Sequence, residues 1–169
     1  MSAPISLFGA FHTAVSIAPL GFGLWAFVKD GKIDLRNLAG KLYLATMLIG
    51  TLTSFGLFRT GTFTPGHALG LLTLALLITG VLAARTSWLG RAAPYVETFS
   101  LSASYLLLWV FTTTETLTRL PAGNPIASGP QSPILLAVHG SLLVAFFLGF
   151  GYQVLQLRAA NRATIPSEA

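Results

Sequence analysis

Residues 133–157 read PILLAVHGSLLVAFFLGFGYQVLQL, a run without a Lys, Arg, Asp or Glu. A helix crosses the hydrocarbon core of a bilayer with about 20 apolar residues. A membrane-spanning strand would use about 10 and alternate apolar with polar side chains. The run is continuous rather than alternating, so it predicts a transmembrane helix. In lipid the backbone must satisfy its own hydrogen bonds, and a helix does so within one segment.

Working outward, four more segments of this kind lie at about 6–28, 40–58, 67–84 and 95–120. The breaks between the five are polar or rich in Gly and Pro: Lys29-Asp30-Gly31-Lys32, then 60–66 (TGTFTPG), 86–91 (TSWLGR) and 121–125 (PAGNP). Of the 169 residues 53% are hydrophobic and 9% charged, where a soluble domain carries roughly a quarter charged. The sequence thus predicts an all-α integral membrane protein, a bundle of about five transmembrane helices forming one domain over residues 1–169. The first span has no basic n-region and no small-residue cleavage site, so it reads as a span and not as a signal peptide. Cysteine is absent, which excludes disulfides, thiolate metal sites and Cys nucleophiles. No nucleophile–base pair and no phosphate loop is present, and no catalytic mechanism is legible.

Orientation follows from charge. Ten Lys and Arg stand against five Asp and Glu. In a soluble protein that excess would suggest nucleic acid; in a membrane protein it reports topology, and no nucleic-acid partner is expected. Lys29, Lys32, Arg36, Lys41, Arg85, Arg91, Arg158 and Arg162 fall on one side of the predicted bundle, and only Arg59 and Arg119 on the other. The positive-inside rule then puts the N-terminus outside and the C-terminus in the cytoplasm of a bacterial cell, with the chain in the inner membrane. Trp25, Tyr43, Trp88, Tyr95 and Tyr152 agree, lying near the cytoplasmic ends of spans where amphipathic rings favour the headgroup layer. Tyr105 and Trp109 lie deep in the fourth span, and their polar atoms call for partners inside the bundle.

With that topology, His12 and His139 each sit about six residues into spans that run inward, roughly 9 Å below the outer surface at 1.5 Å per residue. His67 opens the third span on the same side, Glu115 and Arg119 close the fourth there, and Arg59 follows the second. Ionisable groups at membrane depth are costly and point to function, while an interhelical hydrogen bond is the plainer role for a buried imidazole. His139 shares its helical face with Leu135, Leu142, Leu143 and Phe146, so its partner must come from another helix, a ligand or a cofactor. On the first span, Ser6, Ala10, Ala14 and Ala18 form a small-residue stripe expected to pack against protein, with His12 on a second face beside Phe8, Ser16 and Pro19. The fourth span carries a polar line, Glu97, Ser100, Ser104, Thr112, Glu115 and Arg119, in which Glu115 and Arg119 are spaced for an i,i+4 ion pair. No comparable group is expected at the inner end.

Phe11-His12, Gly40-Lys41-Leu42-Tyr43, the stretch 61–69 (GTFTPGHAL) and the stretch 114–121 (TETLTRLP) together resemble an uncharacterised family of small bacterial multi-pass membrane proteins. The resemblance spans nearly the whole chain through short motifs, and implies a multi-helix fold without an activity. Where that family often has His-Arg before its Gly-basic-x-Tyr element, Arg36-Asn37 stand here.

Two classes of function fit these residues. In the first, the chain is a redox protein in electron transport that binds haem b through His12 and His139, with Arg119 and Arg59 near the propionates. The likeness to cytochrome b561-type carriers is architectural only. A non-haem variant uses His12, His139, His67 and Glu115 to hold Zn or Cu. In the second class no cofactor is bound. The chain is then a binding or transport protein for a small or lipid-like molecule, or an accessory subunit with a membrane-protein partner or a second copy of itself.

Overall fold

The structure, a computed structural model, describes residues 7–56 and 64–163. Arg59, a candidate cofactor residue, lies outside the described residues. These residues form five helices, α1 (Leu7–Asp30), α2 (Leu38–Phe55), α3 (Pro65–Arg85), α4 (Ala93–Arg119) and α5 (Pro133–Ala163), with a 3-10 turn at Gly90–Ala92 before α4. Each predicted span falls on one helix. α1, α2, α3 and α5 are long and apolar enough to cross a membrane. α4 has the length, 27 residues, but its Ser, Thr and Glu content leaves it outside that group.

The chain divides into two compact units, Met1–Leu101 and Ser102–Ala169. In the first, α1 packs on α2 and α2 on α3. The contacts run through small residues, which let helix backbones approach closely in lipid. Pro19, Gly23 and Ala26 of α1 are buried, as are Gly40, Tyr43, Met47 and Gly50 of α2 and Gly70, Thr73, Leu77, Gly80 and Ala83 of α3. A Cβ at Gly50 would lie 3.2 Å from Ser16 Oγ, and one at Gly56 would lie 3.1 Å from Phe8 Cζ. Thus α1 meets α2 through Phe8, His12 and Ser16. The expectation that the small-residue stripe packs against protein is corrected at Ala10 and Ala14, which are exposed; Ala18 is half-buried, and Ser6 lies outside the described residues. His12 hydrogen-bonds across the contact to Thr53 and the alanines cannot, so the polar face turned inward.

The link between α1 and α2 is folded rather than open. Gly31 turns the chain with φ 69°, a left-handed value that suits glycine. Ile33 and Asp34 are then buried at 1% and 7% exposure. Asn37, the N-cap of α2, donates from Nδ2 to Asp30 Oδ2 at 2.9 Å, tying the end of α1 to the start of α2. Gly40 follows where α2 passes Asp34 so closely that a Cβ would stand 2.1 Å from the Asp34 carbonyl oxygen.

In the second unit the C-terminal part of α4 and α5 run antiparallel and are pinned at two levels. Buried Ser102 donates to Gln153 Oε1 at 3.0 Å, and Thr114 Oγ1 meets His139 Nε2 at 3.2 Å. The connection 120–132 folds back on α4: the Ala127 N–H donates to the Leu117 carbonyl at 2.8 Å, and Ala127 is buried.

Candidate functional site

Three histidines are the groups that the sequence singles out. The Thr53 hydroxyl donates to the Ile49 carbonyl at 2.8 Å, one turn back along α2, as helix threonines commonly do. Its oxygen then accepts, so the His12 Nδ1–H donates to it at 2.9 Å. That tautomer leaves His12 Nε2 as the acceptor, facing Ser16 Oγ at 3.3 Å. Both ring nitrogens of His12 are thereby engaged inside the first unit.

His139 repeats the pattern in the second unit. The Thr114 hydroxyl donates to the Val110 carbonyl at 2.7 Å, so His139 Nε2–H is the donor to Thr114. The partner from another helix that His139 calls for is therefore a threonine of α4. His67 stands at the third position of α3, where its Nδ1 accepts the Thr64 backbone N–H at 3.1 Å. It closes a helix N-terminus in the manner of a capping box, with Pro65 at the first turn and the Phe55 ring beside it, centroids 6.1 Å apart. Glu115 and Arg119 form the expected i,i+4 pair, Oε2 to Nε 2.6 Å, with both side chains more than half exposed. Among the described residues no three His, Cys, Asp or Glu side chains gather to hold a metal ion.

Three threonine hydroxyls in the C-terminal half of α4 are satisfied within the helix. Thr112, Thr113 and Thr118 donate to the carbonyls of Leu108, Trp109 and Thr114 at 2.8, 2.7 and 2.6 Å. Tyr105 and Trp109 stack edge to face at 6.3 Å. These bonds make a hydroxyl-rich helix compatible with a dry environment.

A second polar group lies at the opposite end of α1 from His12, where sequence reading expects none. It is built from the folded 31–37 link and the start of α4. Asp34 accepts the Arg36 backbone N–H at 2.9 Å and Arg36 Nε at 2.8 Å, with Arg36 Nη2 on its other oxygen. Lys32 Nζ is 3.9 Å away. The Arg36 side chain holds the Asp34 carboxyl below the usual carboxylate range, against an opposing push from burial, and Asp34 in turn raises Arg36. Beside them is Glu97, 7% exposed. The Leu35 backbone N–H faces its carboxylate, and Lys32, Asp34 and Arg36 are its charged neighbours. Its Oε1 is buried with no hydrogen-bond partner, and so is the hydroxyl of the adjacent Thr98.

Glu97 and Arg36 line one cavity of about 240 Å³ with Thr86, Ala83, Ala84, Ala93 and Pro94. The lining thus holds one carboxylate, one guanidinium and one hydroxyl residue, and the rest is small and apolar. Leaving a buried carboxylate oxygen unpaired costs stability, and such unmatched groups concentrate where a protein holds something. Glu97 belongs to the polar line visible in the fourth span. Its neighbours on the α1–α2 link are about sixty residues away in sequence, beyond the reach of helical periodicity.

No family model, no curated protein and no solved structure matches the chain, so no residue of either site takes its role from a relative.

Proposed function

We propose that the chain is a five-span protein of a bacterial inner membrane, N-terminus outside and C-terminus inside, that binds a small polar ligand at its cytoplasmic end. The observation that carries the binding role is Glu97, a residue of the cavity lining whose buried Oε1 has no hydrogen-bond partner. The histidines support this choice over haem or metal binding. Axial ligation takes the lone pair of an imidazole nitrogen. His12 Nε2 already faces Ser16, and His139 Nε2 bears the proton given to Thr114. Coordination through Nε2 would cost His12 its contact with Ser16, while a His139 protonated at Nε2 keeps its lone pair on Nδ1.

A residue kept for binding is commonly costly to the empty protein. Glu97→Gln keeps the shape and removes the charge, so the ligand-free variant in detergent should melt higher than the ligand-free native protein. A lower melting temperature would make Glu97 a structural ion and remove the ligand site.

A further inference from the structure

The geometry points to a phosphoethanolamine group as the ligand, its ammonium on Glu97 and its phosphate on Arg36. The inference deepens the binding role given to Glu97 and rests on it. Three features of the cavity select this chemistry.

The first is the donor count. A primary ammonium carries three N–H donors and no acceptor, and the lining offers it the carboxylate residue Glu97 and the hydroxyl oxygen of Thr86. The Thr86 proton is already given to the Leu82 carbonyl at 2.7 Å, so that oxygen is left to accept. A divalent cation is a poor match. Calcium takes about 6–8 oxygen ligands and magnesium about six in a strict octahedron, whereas the lining supplies side-chain oxygens from Glu97 and Thr86 alone.

The second is the guanidinium of Arg36, which also lines the cavity. A guanidinium has five N–H donors. Asp34 engages the Nε and Nη2 of Arg36, which fixes the plane of the group and leaves further donors for an oxyanion. Arg36 is 75% exposed on its side chain, so that edge is open to a ligand. Lys32, Asp34, Arg36 and Glu97 carry no net charge together, and a zwitterion keeps that balance where a simple cation or anion would upset it.

The third is the remaining lining. Ala83, Ala84, Ala93 and Pro94 offer no polar side chain, which suits the two methylenes that join an ammonium to a phosphate ester. The walls also lie at a helix end. In the proposed topology that is the headgroup level of the inner leaflet, so the group could come from a phosphatidylethanolamine lipid or from a soluble molecule.

The full chain in phosphatidylcholine nanodiscs containing phosphatidylethanolamine, analysed by native mass spectrometry, tests this. The native protein should retain phosphatidylethanolamine over phosphatidylcholine, whose trimethylated nitrogen has no N–H. Glu97→Gln should weaken that retention by roughly tenfold or more, the worth of one charge-assisted hydrogen bond. Soluble phosphoethanolamine, added in a thermal-shift series, separates the sources: stabilisation by it means that the free group suffices, and its failure beside retained lipid assigns the site to the bilayer. Equal retention of the two lipids, unchanged retention by Glu97→Gln, or binding of neither probe overturns the inference. If Glu97→Gln still raises the melting temperature of the empty protein, the ligand class is wrong and the site stands; if it lowers it, both fall.

Discussion

At the scale of single residues, the 31–37 link is held by fits that tolerate little change. Gly40→Ala would drive a methyl group to 2.1 Å from the Asp34 carbonyl oxygen, a clash with backbone that no rotamer relieves. Overpacking of this kind typically costs about 1–3 kcal/mol, so a drop in melting temperature is expected, and a variant as stable as the native chain would show that the link relaxes freely. Asp34 gives a pH signature. Its folded pKa lies below the ordinary value, so its contribution is present above about pH 4 and is lost as pH falls through the folded pKa. The melting-temperature gap between the native protein and Asp34→Asn should therefore narrow as pH drops below about 4; a constant gap would mean that the Arg36 pair adds nothing. Gly40 and Asp34 are both plain in the sequence, yet nothing there says that they touch. Sequence shows a short basic loop, and the burial of Ile33 and Asp34 arises only when α1 and α2 close over it.

At the scale of helices, apolar length located α1, α2, α3 and α5, because a run of about 20 apolar residues has few alternatives to a helix. Which face turns inward was harder to read. On α1 two faces compete, one of alanines and one of His12 and Ser16, and both have residues recurring at helical spacing. The outcome depended on α2 presenting Thr53 and Gly50 opposite the second face, information held thirty residues and more away. Substituting across the two faces checks this. Ala14→Leu, on the exposed side, should shift stability in detergent by no more than about 0.5 kcal/mol. Ser16→Leu, against Gly50, should cost about 1–3 kcal/mol. The reverse order would return the alanine stripe to the interior. The Glu115–Arg119 pair was legible for the opposite reason: both partners lie one turn apart on one helix.

At the scale of the whole molecule, the number of crossings sets the side on which the chain ends. With the N-terminus outside, five spans bring Ala169 to the cytoplasm, whereas four would leave it outside. α4 decides between them, since it alone of the five described helices falls outside the group apolar enough to cross. A reporter fused after Ala169 should be active in the cytoplasm, and periplasmic activity would mean that α4 does not cross. The same purified protein, from haem-replete cells, should show no Soret band, because both candidate axial imidazoles are held by hydroxyl groups. A Soret band that disappears in His12→Ala and in His139→Ala would reinstate the haem role. Sequence raises the expectation that these histidines share one depth. Their tautomers follow from Thr53 and Thr114 donating to their own helices, which only the folded chain displays.

The buried bond from Ser102 to Gln153 constrains how the chain is made. A ribosome delivers α4 to the insertion machinery before Gln153 and His139 have been synthesised. At that moment Ser102 has no partner on α5, and hydroxyl groups and a glutamate are poor passengers in lipid. α4 is therefore best housed beside the protein wall of the channel until α5, far more apolar, emerges and offers its amide and imidazole. The last two helices would then leave for the bilayer as a pair. If α4 and α5 cross the membrane as proposed, α5 would escort α4 during biogenesis, bringing Gln153 to Ser102 and His139 to Thr114.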